Sequence, residues 1–165
     1  MNKRKNLLAF LIIGIIGTVL HFTYELSGEN PIVGLFSAVN ESVWEHQKLL
    51  FSPSVLFFTA EYLTQKEKTK HYPIASILGI IFGSITIISL FYTYTGIIGK
   101  SYVIIDILLF FIGVIVTIAV RNTIIKNTKY NSKNYDIIAV LLTLFIMFLF
   151  GFFTFYPPQI PIFIQ

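Results

Sequence analysis

Apolar runs long enough to cross a bilayer alternate along this chain with short polar ones, and the alternation predicts an all-α membrane helical bundle with five transmembrane spans. The first run, Leu7 to Tyr24, makes about 27 Å of helix at about 1.5 Å per residue, close to the thickness of bilayer hydrocarbon. Ser27-Gly28-Glu29-Asn30-Pro31 then marks a turn. Later runs place spans at Ile74 to Tyr94, Tyr102 to Val120 and Asp136 to Tyr156, the last ended by Pro157-Pro158. In the third span Ala75, Gly79 and Gly83 recur every four residues, a small-residue ridge that lets another helix come close.

The segment from Ile32 to Thr64 is harder, because its polar stretch and Pro53 interrupt the apolar pattern. In one arrangement an interfacial or re-entrant helix covers Val33 to Leu50, centred on Ser37 to Leu50, and Leu49 to Thr64 crosses the membrane. In the other a single long helix kinks at Pro53, whose ring removes a backbone hydrogen bond. The first is preferred. The whole chain, 1–165, then forms one transmembrane domain with spans at 7–24, 49–64, 74–94, 102–120 and 136–156.

Composition agrees: 55% of residues are hydrophobic, 12% are charged, and the mean hydropathy is +0.77. The net charge of +4 matters less than where it falls. Ten of the twelve Lys and Arg residues precede span one or lie in the loops after spans two and four, which predicts a cytoplasmic N-terminus and an extracytoplasmic C-terminus. That bias is an orientation signal, so membrane lipids are the expected partners and no nucleic acid is; protein partners are left undefined. Lys3-Arg4-Lys5 ahead of an apolar run resembles a signal peptide, but no small-x-small site follows, and cleavage is not expected. Heavy use of Ile, Lys, Asn, Phe and Tyr suggests an AT-rich bacterial genome and so a bacterial plasma membrane.

Candidate chemistry concentrates in Ser37 to Pro53. Ionisable groups at membrane depth persist when paired, wetted or bound to a ligand, so they mark a functional site by default. With N-terminus inside, His21 and Glu25 close span one on the outer side, and Asn40, Glu41, Trp44, Glu45, His46 and Lys48 follow the outer turn. Asp106 lies about 6–8 Å below the outer start of span four. On a continuous helix Glu41, Glu45 and Lys48 share a face, and His46 is turned about 100° from it.

Three readings follow. In the first, His21, Glu25, His46 and Asp106 hold zinc or another divalent metal, with Glu41 and Glu45 as catalytic carboxylates; the chain contains no cysteine, so imidazole and carboxylate are the available ligands. A metal-bound water would then hydrolyse an ester or amide of a lipid-like substrate. In the second, the groups neutralise one another, Glu45 with Lys48, as packing in a non-catalytic structural or interaction component, with Trp44 as an interfacial anchor. The third is an ion- or proton-coupled carrier, for which the inner half offers little, Glu61 being expected to snorkel. Gly99-Lys100-Ser101 lacks the upstream glycine of a phosphate loop, Asn40-Glu41-Ser42 matches the glycosylation sequon by chance, and His71 reads as a loop residue.

Asn40-Glu41-Ser42-Val43-Trp44-Glu45-His46, with His21 to Glu25 and Ser27-Gly28 before it, and Lys48-Leu49, Pro53 and Tyr156-Pro157-Pro158 after it, resembles the signature of a family of small bacterial multi-pass membrane proteins catalogued as a domain of unknown function. The resemblance runs over nearly the whole chain. It implies an integral membrane bundle and supplies no activity; proteins of this kind continue for a short stretch after the Pro-Pro segment, whereas this chain stops at Gln165.

Overall fold

A computed structural model describes residues 3–66, 69, 71–127 and 133–164, all of whose regular structure is helical. Parts of the expected loops (Glu67, Lys68, Lys70 and 128–132) and Gln165 lie outside the described residues. The helices are α1 (Lys3–Leu26), α2 (Pro31–Gly34), α3 (Val43–Thr64), α4 (Tyr72–Ile98), α5 (Val103–Asn127) and α6 (Lys133–Phe155). Four of them, α1, α4, α5 and α6, are long and apolar enough to cross a membrane. Their outer faces carry rows of exposed Leu, Ile, Val and Phe, such as Leu11, Ile15 and Val19 on α1 and Leu141, Leu144 and Phe148 on α6. A surface of that kind belongs against lipid. The chain therefore has the make-up of an integral membrane protein.

The close contacts follow the glycines. A Cβ on Gly79 would stand 2.5 Å from the Thr117 carbonyl oxygen, and one on Gly83 would stand 2.1 Å from Thr117 Oγ1 and 2.7 Å from the Gly113 carbonyl. The ridge expected on span three is thus where α5 meets α4. Among the apolar helices α4 is the most enclosed and α6 the least, with 39% and 11% of their apolar stretches buried. The core itself gathers Ile13, Leu50, Phe58, Ile77, Ile80 and Val114 from α1, α3, α4 and α5.

The polar segment departs from the preferred reading. No separate helix covers Ser37 to Leu50: after the single turn of α2 the chain is irregular to Ser42, and one helix then runs from Val43 through Pro53 to Thr64. The cause is local. Ser42 is an N-cap whose hydroxyl accepts from Glu45 N–H at 3.3 Å, and Asn40 Oδ1 accepts from Ser42 N–H at 3.0 Å. A helix started there leaves Glu41 outside it. Trp44 N–H, another donor of the first turn, goes to the Ile162 carbonyl at 2.9 Å, so the C-terminal segment caps α3 as well.

Irregular backbone beside apolar helices needs partners for its polar groups. They come from one stripe of α3. Glu45, Lys48 and Ser52, spaced i, i+3, i+7, face the incoming segment: Glu45 Oε2 accepts from Val39 N–H at 3.0 Å, Lys48 Nζ donates to the Gly34 carbonyl at 2.6 Å, and Ser52 Oγ donates to the Phe36 carbonyl at 3.0 Å. Much of the polarity of this stretch is therefore the scaffold of a connection.

Candidate functional site

The Ser42 cap divides the polar residues into two groups. Facing inward, Glu45 and Lys48 form an ion pair with 3% and 0% of their side chains exposed. Lys48 has three ammonium hydrogens and three acceptors: Glu45 Oε2, the Gly34 carbonyl and Thr154 Oγ1 at 3.0 Å. Thr154 of α6 also stands 2.9 Å from Glu45 Oε1. Every polar atom of the pair is engaged. Glu45, expected as a catalytic carboxylate, and Lys48, expected in the open pocket, are instead held in this closed network.

Facing the other way, His46 meets His21 of α1 with ring centroids 5.2 Å apart, and Glu41, freed from the helix by the cap, reaches between them. Glu41 Oε1 is 3.8 Å from His21 Nε2 and its Oε2 is 3.5 Å from His46 Nε2. One ligand atom from each of the three residues lies within 4.8 Å of the others. His46 Nδ1 stands 2.9 Å from the Ser42 carbonyl. A carbonyl only accepts, so Nδ1 carries the proton, and in the neutral ring the lone pair is on Nε2, aimed toward a carboxylate. Two such acceptors face each other comfortably when a cation or a proton lies between them. The His46 backbone contact is also the outer support that metal-bound imidazoles commonly use.

The other expected ligands are placed elsewhere. Glu25, one helical turn past His21, is exposed and outside this group. Asp106 accepts from the Tyr94 hydroxyl, which in turn accepts from Tyr102 N–H at 3.1 Å, so it ties the α4–α5 turn together. Trp44 is no free interfacial anchor: its ring packs against Phe150, Phe153 and Phe163, with centroids 4.8–5.4 Å away. Asn40 supports the Ser42 cap.

Among known protein families, the chain matches the family of unknown function DUF6512 over residues 1–165. It belongs to this family. No curated protein and no solved structure matches it.

A second polar centre in this DUF6512 member lies at the other end of the bundle, where the sequence reading saw only a snorkelling acid. Glu61 is 15% exposed and takes Arg121 Nη2 at 2.8 Å and the Tyr72 hydroxyl, both on Oε2, while Lys5 Nζ stands 3.8 Å from Oε1. The Arg121 guanidinium lies over the Tyr72 and Phe58 rings at 4.4 and 4.6 Å. Arg121, one residue past the expected span of 102–120, is inside α5, and Gly79 lets that part of α5 approach: a Cβ there would be 3.1 Å from Arg121 Cβ. No local signal links positions 61 and 121. The available hint was an arginine following an unbroken apolar helical run.

Proposed function

We propose that this chain is a five-span protein of a bacterial plasma membrane that binds a divalent transition metal, zinc foremost, through His21, Glu41 and His46 at its outer surface. The observation carrying the reading is the convergence of one donor atom from each residue within 4.8 Å. Two imidazoles and a carboxylate are a common catalytic zinc set, which leaves a fourth position for water. Glu41, with 70% of its side chain exposed, keeps that position open to solvent. A metal-bound water at the membrane surface suits hydrolysis of a lipid-like ester or amide. Glu41 passes from general base to ligand in this reading, and Glu45 has no part in the chemistry.

A second reading has its own support. His21 and His46 come from different helices, so the same ion would clamp α1 to α3 without reacting. Elemental analysis of detergent-purified protein decides whether the metal is there: wild type is expected to carry stoichiometric zinc or manganese, and a His21→Ala, His46→Ala double variant none. A folded wild type that takes up neither metal ends the proposal. If metal is present, its removal by chelator separates a clamp, where thermal stability falls, from a reactive centre, where stability holds.

The fifth span in this proposal is α3, whose 22 residues give about 33 Å. Pairing of Glu45 with Lys48 and of Glu61 with Arg121 supports its insertion. Orientation follows the cations Lys3, Arg4, Lys5, Lys66 and Lys126 at one end. Because the chain has no cysteine, single replacements report topology directly. In intact cells an impermeant maleimide is expected to label Glu29→Cys and to spare Lys66→Cys; the reverse pattern would invert the protein.

A further inference from the structure

The Glu61 end of the bundle has an open cleft of about 520 Å³ among α1, α3, α4 and α5, within the size range of small-ligand sites. We infer that this cleft binds a phosphate group. Among the described residues, Lys5, Lys66 and Arg121 line it with one carboxylate, Glu61, which Arg121 and Tyr72 engage and Lys5 approaches to 3.8 Å. Its amides are also turned to donate. Gln65 Oε1 accepts from Thr69 N–H at 2.9 Å, which leaves the Gln65 NH₂ for another partner. Asn122 Oδ1 accepts from Arg121 Nη1 at 3.2 Å, so Asn122 donates its NH₂ to Asn6 Oδ1 at 3.1 Å, and the Asn6 NH₂ remains. Two ammonium groups and two amide donors around a neutralised carboxylate make an anion site. Its chemistry is that of phosphate oxygens, which accept several hydrogen bonds at once.

Phosphate at this position has two sources, the headgroup of an anionic phospholipid or a soluble phosphate. A basic pocket between membrane helices on the cytoplasmic side favours the first, and that side rests on the orientation proposed above. The test uses full-length protein in a neutral sugar detergent, titrated by native mass spectrometry with phosphatidylglycerol, inorganic phosphate, and diacylglycerol as the phosphate-free control. Lys5→Gln with Lys66→Gln is the informative variant, because both side chains are exposed and Arg121 and Tyr72 still engage Glu61 without them. Wild type is expected to bind phosphatidylglycerol saturably and diacylglycerol not at all, and the double variant to bind roughly 30-fold more weakly, the loss of two lysine attractions. The His21→Ala, His46→Ala variant, altered at the opposite end, should bind like wild type. Saturable inorganic phosphate with the same sensitivity, and no lipid, supports the site with a soluble source. Binding of neither, binding indifferent to the lysines, or equal binding of diacylglycerol overturns it.

Discussion

A Lys48→Met protein is expected to lose about 3–5 kcal/mol of stability, the usual consequence of leaving one member of a buried ion pair alone. The loss has two parts. Glu45 keeps Val39 N–H and Thr154 but no longer has a counter-charge, and the Gly34 carbonyl loses its donor in a dry place. Combining Lys48→Met with Glu45→Gln should recover more than half of the loss, because glutamine still accepts from Val39 N–H and carries no charge. Equilibrium SDS titration in mixed micelles measures both, as a double-mutant cycle. If Lys48→Met is as stable as wild type, the pair does not pin the segment between α2 and α3. Glu45→Gln alone separates scaffold from chemistry: a scaffold role predicts weakened folding with metal retained by the folded fraction, since the Glu45 carboxylate bonds Val39, Lys48 and Thr154 and stands outside the His21, Glu41 and His46 group.

The long helices were legible because lipid imposes one requirement on all of them, a continuous apolar surface about as long as the bilayer is thick. Helix α3 was not, because it satisfies a different neighbour along its first turns. Glu45, Lys48 and Ser52 break its apolar run in order to bond irregular backbone, which a hydropathy reading takes for an interruption of the span. The capping pattern at Ser42 and Glu45 was the decisive local signal. Read as a helix start, it puts Glu41 outside α3 and separates it from Glu45; read through, as a helix from Val33, it puts both on one face. His21 and His46 were recognisable as partners because the turn after span one brings the end of α1 and the start of α3 to the same end of the bundle. The Glu61–Arg121 pair lies sixty positions apart and is made by helix packing alone. Its legibility was correspondingly poor.

Gly17→Ala is expected to destabilise the protein by about 3 kcal/mol, the upper part of the usual range for overpacking, and to weaken metal binding with it. Pro53 has no N–H, so the carbonyl of Leu49, its partner in an uninterrupted helix, is released from the α3 ladder. That oxygen lies against Gly17 of α1. A Cβ on Gly17 would stand 2.5 Å from it and 2.6 Å from Phe110 Cζ, so backbone on one side and a packed ring on the other must both move. The absence of a side chain at Gly17 thus sets how closely α1 and α3 approach. His21 is one turn beyond Gly17, and His46 is three residues before Leu49, so the spacing of the two imidazoles is fixed by this contact. Gly96→Ala is the matched control: nothing lies within 4 Å of a Cβ there, and alanine in a helix should stabilise by about 0.5–1 kcal/mol. Thermal melts and zinc titrations of the two variants give opposite expected signs for stability and a loss of zinc affinity for Gly17→Ala alone. Unchanged zinc affinity in a clearly destabilised Gly17→Ala protein would mean that the His21–His46 spacing does not depend on where α1 crosses α3.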